Sequence, residues 1–242
     1  AAARHFIRAV GLKRMWHMVT IIIEYFLVIT LTVLPIIVKF VKKILFRPIM
    51  KKTVMVTGAT SGIGRACALK FGKAGYRVIV TGRRADALAE LSAELADAGA
   101  ESLVLVFDVR DRKLAEMSLR SLPQDWKEID VLVNNAGLAL GLEPEYEGDF
   151  EDWDTMIDTN VKGLLTMTRL VVPGMVKRGC GQIINIGSVA GDAAYAGGNV
   201  YCATKAAVKT ITDGLRIDVA DTALRVTNIK PGLVETNFSR TR

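Results

Sequence analysis

Tyr201 and Lys205 stand four residues apart in a stretch that reads as helix, so their side chains share one face about a turn apart. An ammonium beside a phenol favours the phenolate and lowers a pKa that begins at about 10. Such a phenol can protonate a carbonyl oxygen, or take the proton of an alcohol, near neutral pH. Ser188 lies thirteen residues before Tyr201, at the end of a predicted strand, where its hydroxyl can polarise the same oxygen. A Tyr-x-x-x-Lys pair alone says little, since helices produce it by chance. Joined to a strand-end serine and a glycine-rich turn upstream, it becomes specific.

That turn is the stretch TVMVTGATSGIG, in which Gly58, Gly62 and Gly64 fall between a short β-branched strand and a helix. Glycines let the main chain approach a pyrophosphate, and the following helix N-terminus offers amide donors and a favourable dipole. No Gly-Lys-Ser/Thr follows, so it is not a Walker loop. At the end of the second predicted strand the chain reads Thr81-Gly82-Arg83-Arg84, without the carboxylate that holds an NAD ribose 2′-hydroxyl. A guanidinium fork matches a 2′-phosphate, so NADP(H) is the expected cofactor. The bland alternative is that these arginines solvate a loop.

The elements that must position these residues alternate. Strands are predicted at YRVIVTGRR, SLVLVFDV, IDVLVNNAG, GQIINIGS and LRVTNIKPG after the first strand TVMV, with helices over residues 85–98, 150–177 and 200–220 among them. Strands that read as continuous apolar runs between helices imply a parallel sheet covered on both faces. The expected fold class is α/β, a doubly wound parallel sheet of Rossmann type, preceded by a hydrophobic N-terminal helix.

That N-terminal segment differs in texture. From Met15 to Val38 the only charge is Glu24, and about 20 helical residues cross a bilayer's hydrocarbon core. Of the 32 Lys and Arg residues, ten precede Thr53, against one of the 25 acidic ones. The net charge of +7 therefore belongs to the flanks of this segment, and residues 53–242 are near neutral with 22 basic and 24 acidic residues. This pattern suits a phospholipid surface and gives no support to a nucleic-acid partner. Residues 1–52 are thus expected to be an arm with a membrane-anchor helix at about 15–46, and residues 51 onward to face the cytoplasm or matrix. A signal peptide fits less well, as no small-residue cleavage site follows, and a helix docking on a partner protein is the other reading. Three spaced cysteines, Cys67, Cys180 and Cys202, suggest neither a disulfide framework nor a metal site.

From Thr53 onward the chain resembles the short-chain dehydrogenases/reductases. The resemblance rests on Thr57-Gly58-Ala59-Thr60-Ser61-Gly62-Ile63-Gly64, Asp108-Val109, Asn134-Asn135-Ala136-Gly137, Asn160, Ser188, Tyr201-Cys202-Ala203-Thr204-Lys205 and Pro231-Gly232. The stretches NNAGLALGLEP, WDTMIDTNVKGL and YAGGNVYCATK look most like its branch of NADP-dependent 3-hydroxy acid (serine-type) dehydrogenases. It implies Tyr201 as general acid/base, Lys205 tuning it and binding the nicotinamide ribose, Ser188 holding the substrate oxygen and Asn160 supporting a proton relay. It also implies a cofactor site at Gly58, Thr60, Ser61, Gly62, Ile63, Gly64, Arg83, Arg84, Asp108, Val109, Asn135, Val234 and Thr236, besides Tyr201 and Lys205.

The resemblance further implies hydride exchange between NADP(H) and a carbonyl or alcohol. The branch points to a small hydroxy acid, whereas the anchor points to a lipophilic ketone or alcohol and to membrane lipid as a partner. A homo-oligomer, or a subunit of a membrane complex, is expected. The family continues with a substrate-covering helical lid and a seventh strand, so residues 53–242 are expected to lack these. A rival reading makes the chain an accessory subunit that keeps the nucleotide fold without turnover; Asn160, Ser188, Tyr201 and Lys205 together oppose it.

Overall fold

The computed structural model describes residues 18, 29–36 and 51–236 of the 242. The chain divides into two units, Ala1–Met50 and Lys51–Arg242. In the first unit Ile29–Val33 forms one π-helical turn that runs on as helix through residues 34–36, with Leu31, Leu34 and Ile36 exposed. The rest of the anchor expected at 15–46, apart from residue 18, lies outside the described residues. Among the described residues no helix is long and apolar enough to cross a membrane.

The second unit is built on six strands: β1 (Thr53–Val56), β2 (Arg77–Gly82), β3 (Ser102–Val106), β4 (Val131–Asn134), β5 (Gln182–Ile186) and β6 (Arg225–Ile229). All five pairings are parallel, in the order β3-β2-β1-β4-β5-β6. The helices are α1 (Gly62–Lys73), α2 (Ala85–Asp97), α3 (Arg112–Arg120), α4 (Phe150–Ile157), α5 (Leu164–Arg178) and α6 (Asn199–Asp218). Side chains alternate across each strand. Val54 and Val56 join Val78, Val80, Val131 and Val133 on one face, under Leu88, Leu91 and Leu95 of α2. Met55, Ile79, Leu132 and Ile183 face the other side, under Met167, Val171 and Met175 of α5. Leu88, Leu91 and Leu95 repeat at helical spacing and are fully buried. Truncating any of them to alanine should cost about 2–5 kcal/mol.

The strand order reverses between β1 and β4, and in such sheets that switch point opens a crevice beyond the strands' C-terminal ends. The expected Rossmann-type sheet is therefore found, with two departures. The helix expected over 150–177 is α4 and α5 joined by a π-helical segment, Asp158–Gly163. And α3 has no counterpart in the sequence reading: only Ala115 of it is buried, and it starts where Asp111 Oδ1 accepts the Leu114 amide at 2.9 Å.

Candidate functional site

The glycine turn between β1 and α1 is locked onto the end of β4. Thr57 Oγ1 donates to the Val133 carbonyl at 3.3 Å and accepts the amides of Asn135 and Ala136, each at 3.0 Å. Asn135 Nδ2 returns two bonds, to the carbonyls of Thr57 (2.9 Å) and Gly58 (3.0 Å). Gly58 has φ of 63°, a left-handed conformation that favours glycine. At Gly64 a Cβ would collide with Asn135 Nδ2 and the Gly58 carbonyl oxygen, so the turn presses directly on α1. Asn135 thus gives its amide donors to the loop, a structural duty beside the cofactor contact that the resemblance implies for it.

Thr60, Ser61 and Ile63 line the entry to α1, where Ser61 is extended and its side chain makes no bond to the helix. Thr236 lies where its Cβ would be 3.3 Å from a Cβ on Gly62, so the segment after β6 passes over the turn; Val234, two residues earlier, is half exposed.

Three guanidiniums gather at the ends of β2 and β3. Arg84 donates to Thr60 Oγ1 at 2.9 Å. Arg83 stands 3.9 Å from Asp108 Oδ2, and Arg110 makes a fork onto the same carboxylate, through Nε at 3.0 Å and a terminal nitrogen at 2.8 Å. Burial raises the Asp108 pKa, but the hydrogen bonds and charge of Arg110, with the charge of Arg83, outweigh it and hold the carboxyl below its ordinary value. Arg110 escaped the sequence reading; its one signal was its position two residues after Asp108. Val109, expected at the cofactor, turns away into the core and packs on Gly163 of the π segment.

On the far side of the crevice α6 carries Tyr201 (9 % exposed) and Lys205 (6 % exposed). Lys205 Nζ donates to the Ile186 carbonyl at 2.9 Å and sits 5.8 Å from the centre of the Tyr201 ring. Burial lowers its pKa to about 8. Ser188 lies two residues past β5, and its Oγ accepts the Ala190 amide at 3.1 Å. Ala190 and Tyr201 belong to one small apolar cluster, and a Cβ on Gly191 would lie 2.7 Å from the Lys205 main chain, so the serine turn is pressed onto α6.

Asn160 (1 % exposed) joins these parts. Its Oδ1 accepts the Leu138 amide at 2.9 Å, while its Nδ2 donates to the Leu138 carbonyl (2.8 Å) and to Thr204 Oγ1 (3.0 Å). Thr204 in turn donates to the Tyr201 carbonyl at 2.7 Å. The π segment, with its extra residue per turn, is what turns Asn160 inward from the α4–α5 axis. Asn160, Ser188, Tyr201 and Lys205 are thus brought together by three different elements.

An open recess of about 300 Å³ adjoins Tyr201, lined by Leu140, Trp153, Met156 and Val200 and by the carboxylates Glu143, Asp149 and Asp152. Hydrogen bonds from its own amide and that of Leu142 hold Glu143 below its ordinary pKa, and Asp149 caps α4. None of these three carboxylates was picked out from the sequence, because only the fold carries residues 143–152 to the Tyr201 side of the crevice.

The sequence profile of the family described as short chain dehydrogenase matches residues 52–242. A probable NADP-dependent dehydrogenase of Haemophilus influenzae is 54 % identical over 191 residues, covering 78 % of this chain and 75 % of that relative. The NADP-dependent 3-hydroxy acid dehydrogenase YdfG of Escherichia coli K12 is 55 % identical over 190 residues, with the same coverage of both. Among solved structures, the closed form of a serine dehydrogenase complexed with NADP+ superposes with a TM-score of 0.75 at 55 % identity, over 78 % of this chain and 76 % of that one.

Proposed function

This chain belongs to the short chain dehydrogenase family and is an NADP(H)-dependent oxidoreductase acting on hydroxyl groups, and we propose that its substrate is a small 3-hydroxy acid such as a serine-like compound. The observation that carries the catalytic assignment is the placing of Lys205 Nζ, buried on the Ile186 carbonyl and facing the Tyr201 ring. The relatives at 54 % and 55 % identity, named for NADP and for 3-hydroxy acids, support the cofactor and the substrate class.

The residues present fit the dinucleotide. The glycine turn with its left-handed Gly58, the α1 N-terminus and the guanidiniums of Arg83, Arg84 and Arg110 would form a cradle for phosphates, a 2′-phosphate falling to the arginines. Bound there, NADP(H) supplies or takes the hydride at its nicotinamide ring. Tyr201 gives its phenol proton to the carbonyl oxygen in reduction and removes the hydroxyl proton in oxidation. Lys205 stabilises the phenolate in both directions. Ser188 Oγ accepts the Ala190 amide and keeps its own proton to donate to the substrate oxygen. Asn160 ties the main chain of Leu138 to α6 through Thr204 and so sets the crevice width. Cofactor titration tests the reading: NADPH fluorescence should report tight binding with NADH much weaker, and a 3-hydroxy acid should be oxidised with NADP+. Absence of NADPH binding to the folded chain would refute it.

The charge partition supports a second element. Ten basic residues precede Thr53 and flank an almost uncharged run from Met15 to Val38, the signature of a segment lodged in a bilayer beside anionic headgroups. In this reading residues 1–52 are an arm that tethers the 53–242 oxidoreductase domain to the cytoplasmic or matrix face of a membrane. Alkaline carbonate should then leave the chain in the membrane pellet, and release into the wash would sink the tether.

A further inference from the structure

Asn134 of β4, Asn185 of β5 and Asn228 of β6 occupy one rung across three neighbouring strands: Asn134 pairs with Asn185, and Asn185 with Asn228. Asn134 and Asn185 are buried, the latter fully. Asn134 Nδ2 donates to Thr168 Oγ1 on α5 at 3.0 Å and to Asn185 Oδ1 at 2.9 Å. Asn185 Nδ2 donates to Thr212 Oγ1 on α6 at 2.9 Å, and that hydroxyl passes its single proton to the Val208 carbonyl at 2.6 Å. Since Thr212 has no second proton to give, it must receive from Asn185, and the amide orientation is fixed. The donors therefore run one way, from β4 through β5 into α6.

A sheet core needs no such network for cohesion, because buried amides merely exchange water partners for protein ones. What the network adds is directional fixing of a helix. Tyr201, Lys205, Val208 and Thr212 form one buried stripe along α6. Two consecutive residues of β5 grip that stripe at two points: Ile186, whose carbonyl holds Lys205, and Asn185, which holds Thr212. Seven residues separate the two points, about 10 Å along a helix axis. Thr204, bonded by Asn160, and Arg216, whose Nε donates to the Val226 carbonyl, tie α6 to other elements; against β5 itself the grips on Lys205 and Thr212 set its height and rotation. Tyr201 projects one turn beyond the first grip, where any pivot is magnified.

We propose that Asn185 and Thr212 are positioning residues, whose hydrogen bond sets the height and rotation of α6 and thereby the reach of Tyr201 and Lys205 toward the reacting oxygen. The proposal rests on the Tyr201–Lys205 reading given above. Three variants of the full chain test it. Thr212→Val keeps the shape and removes the acceptor; kcat for hydroxy acid oxidation should fall about 10–100-fold, the cost of a misplacement near 1 Å. The NADPH Kd and the substrate KM should stay within about two-fold, and Thr212→Ser should restore kcat. Thr168→Val removes the hydroxyl at the other end of the same chain of bonds, on a helix that carries neither Tyr201 nor Lys205; it should lower Tm comparably and leave kcat nearly unchanged.

Unaltered kcat in Thr212→Val overturns the proposal. So does a loss that serine fails to restore, or an equal loss in Thr168→Val. Where valine lowers the folded fraction, Thr212→Cys, a weak acceptor of similar shape, carries the same expectation. Tyr201→Phe separates the two readings. Wild-type turnover in that variant removes the catalytic assignment itself, whereas a failure confined to Thr212 removes only the positioning role.

Discussion

Lys205 Nζ rests 2.9 Å from the carbonyl oxygen of Ile186, a neutral acceptor, while the Tyr201 ring centre lies 5.8 Å away. A carboxylate partner would have neutralised the ammonium; a carbonyl anchors it and leaves its charge to act on the phenol. The arrangement works against stability, because burial alone draws the Lys205 pKa down from 10.5 to about 8. The lysine is therefore kept buried at some thermodynamic expense.

That expense has a pH signature. Below about pH 8 Lys205 is charged in both folded and unfolded chains, and the folded state carries the full desolvation penalty. Between about 8 and 10.5 the folded lysine is neutral while the unfolded one still binds a proton, so the penalty fades as pH rises. The gap corresponds to roughly 3 kcal/mol. Compared with Lys205→Met, wild type should thus gain up to about 3 kcal/mol of relative stability between pH 7 and pH 10. Urea unfolding of both proteins at the two pH values decides it, and a stability difference independent of pH would contradict the buried-ammonium picture.

Tyr201→Phe removes one oxygen from a largely buried ring and should leave the fold intact. If the phenol is the acid and base, kcat drops by about 10²–10⁴, the range of general acid–base catalysis, while NADPH affinity changes less than about two-fold. Steady-state turnover beside a fluorescence titration reads both quantities. Retained turnover would mean that another group moves the proton.

How much of this was legible beforehand follows from the range of each signal. The buried parallel strands were visible because Val, Ile and Leu runs such as Val78–Val80 and Val131–Val133 need no partner to be recognised. Asn160, Ser188, Tyr201 and Lys205 were picked out because their spacing along the chain is itself the pattern. The π segment was not, since one extra residue inside a helix barely disturbs the hydrophobic period, yet it is what turns Asn160 inward. Helix α3 was hidden by its polarity, with Ala115 its one buried residue. Arg110, the recess carboxylates and the loop-clamping duty of Asn135 depend on tertiary meetings between distant segments. Val109 follows Asp108 directly in the chain, yet its side chain is buried in the core against Gly163, a placement that only the fold reveals.

Gly64→Ala probes the cradle directly. The added methyl meets Asn135 Nδ2 and the Gly58 carbonyl, and these two are already bonded to each other, so neither yields freely. Overpacking of this kind costs about 1–3 kcal/mol, which in a domain of this size lowers Tm by about 2–10 °C. NADPH binding should fall more than stability does, because the loop that must approach the pyrophosphate is the part displaced. A thermal scan with and without NADPH checks it: the ligand-induced rise in Tm should shrink sharply in the variant, and an undiminished rise would place the dinucleotide elsewhere.

Arg83→Asp addresses the choice between NADPH and NADH. In the structure Arg83 is 3.9 Å from Asp108 Oδ2, while Arg110 already grips that carboxylate with two nitrogens, so Arg83 is the cation with charge to spare. Its side chain is also mostly exposed, free to swing onto a 2′-phosphate. Replacing it with a carboxylate removes a charge-assisted bond worth about 1.5–3 kcal/mol and adds repulsion against the phosphate. The NADPH Kd should rise about 100-fold, whereas NADH, which presents a 2′-hydroxyl that an aspartate can accept from, should bind as well as before or better. Parallel titrations with the two nucleotides give the ratio. Equal weakening of both would show that Arg83 supports the loop rather than reading the phosphate, and the selectivity would then have to reside in Arg84 or Arg110.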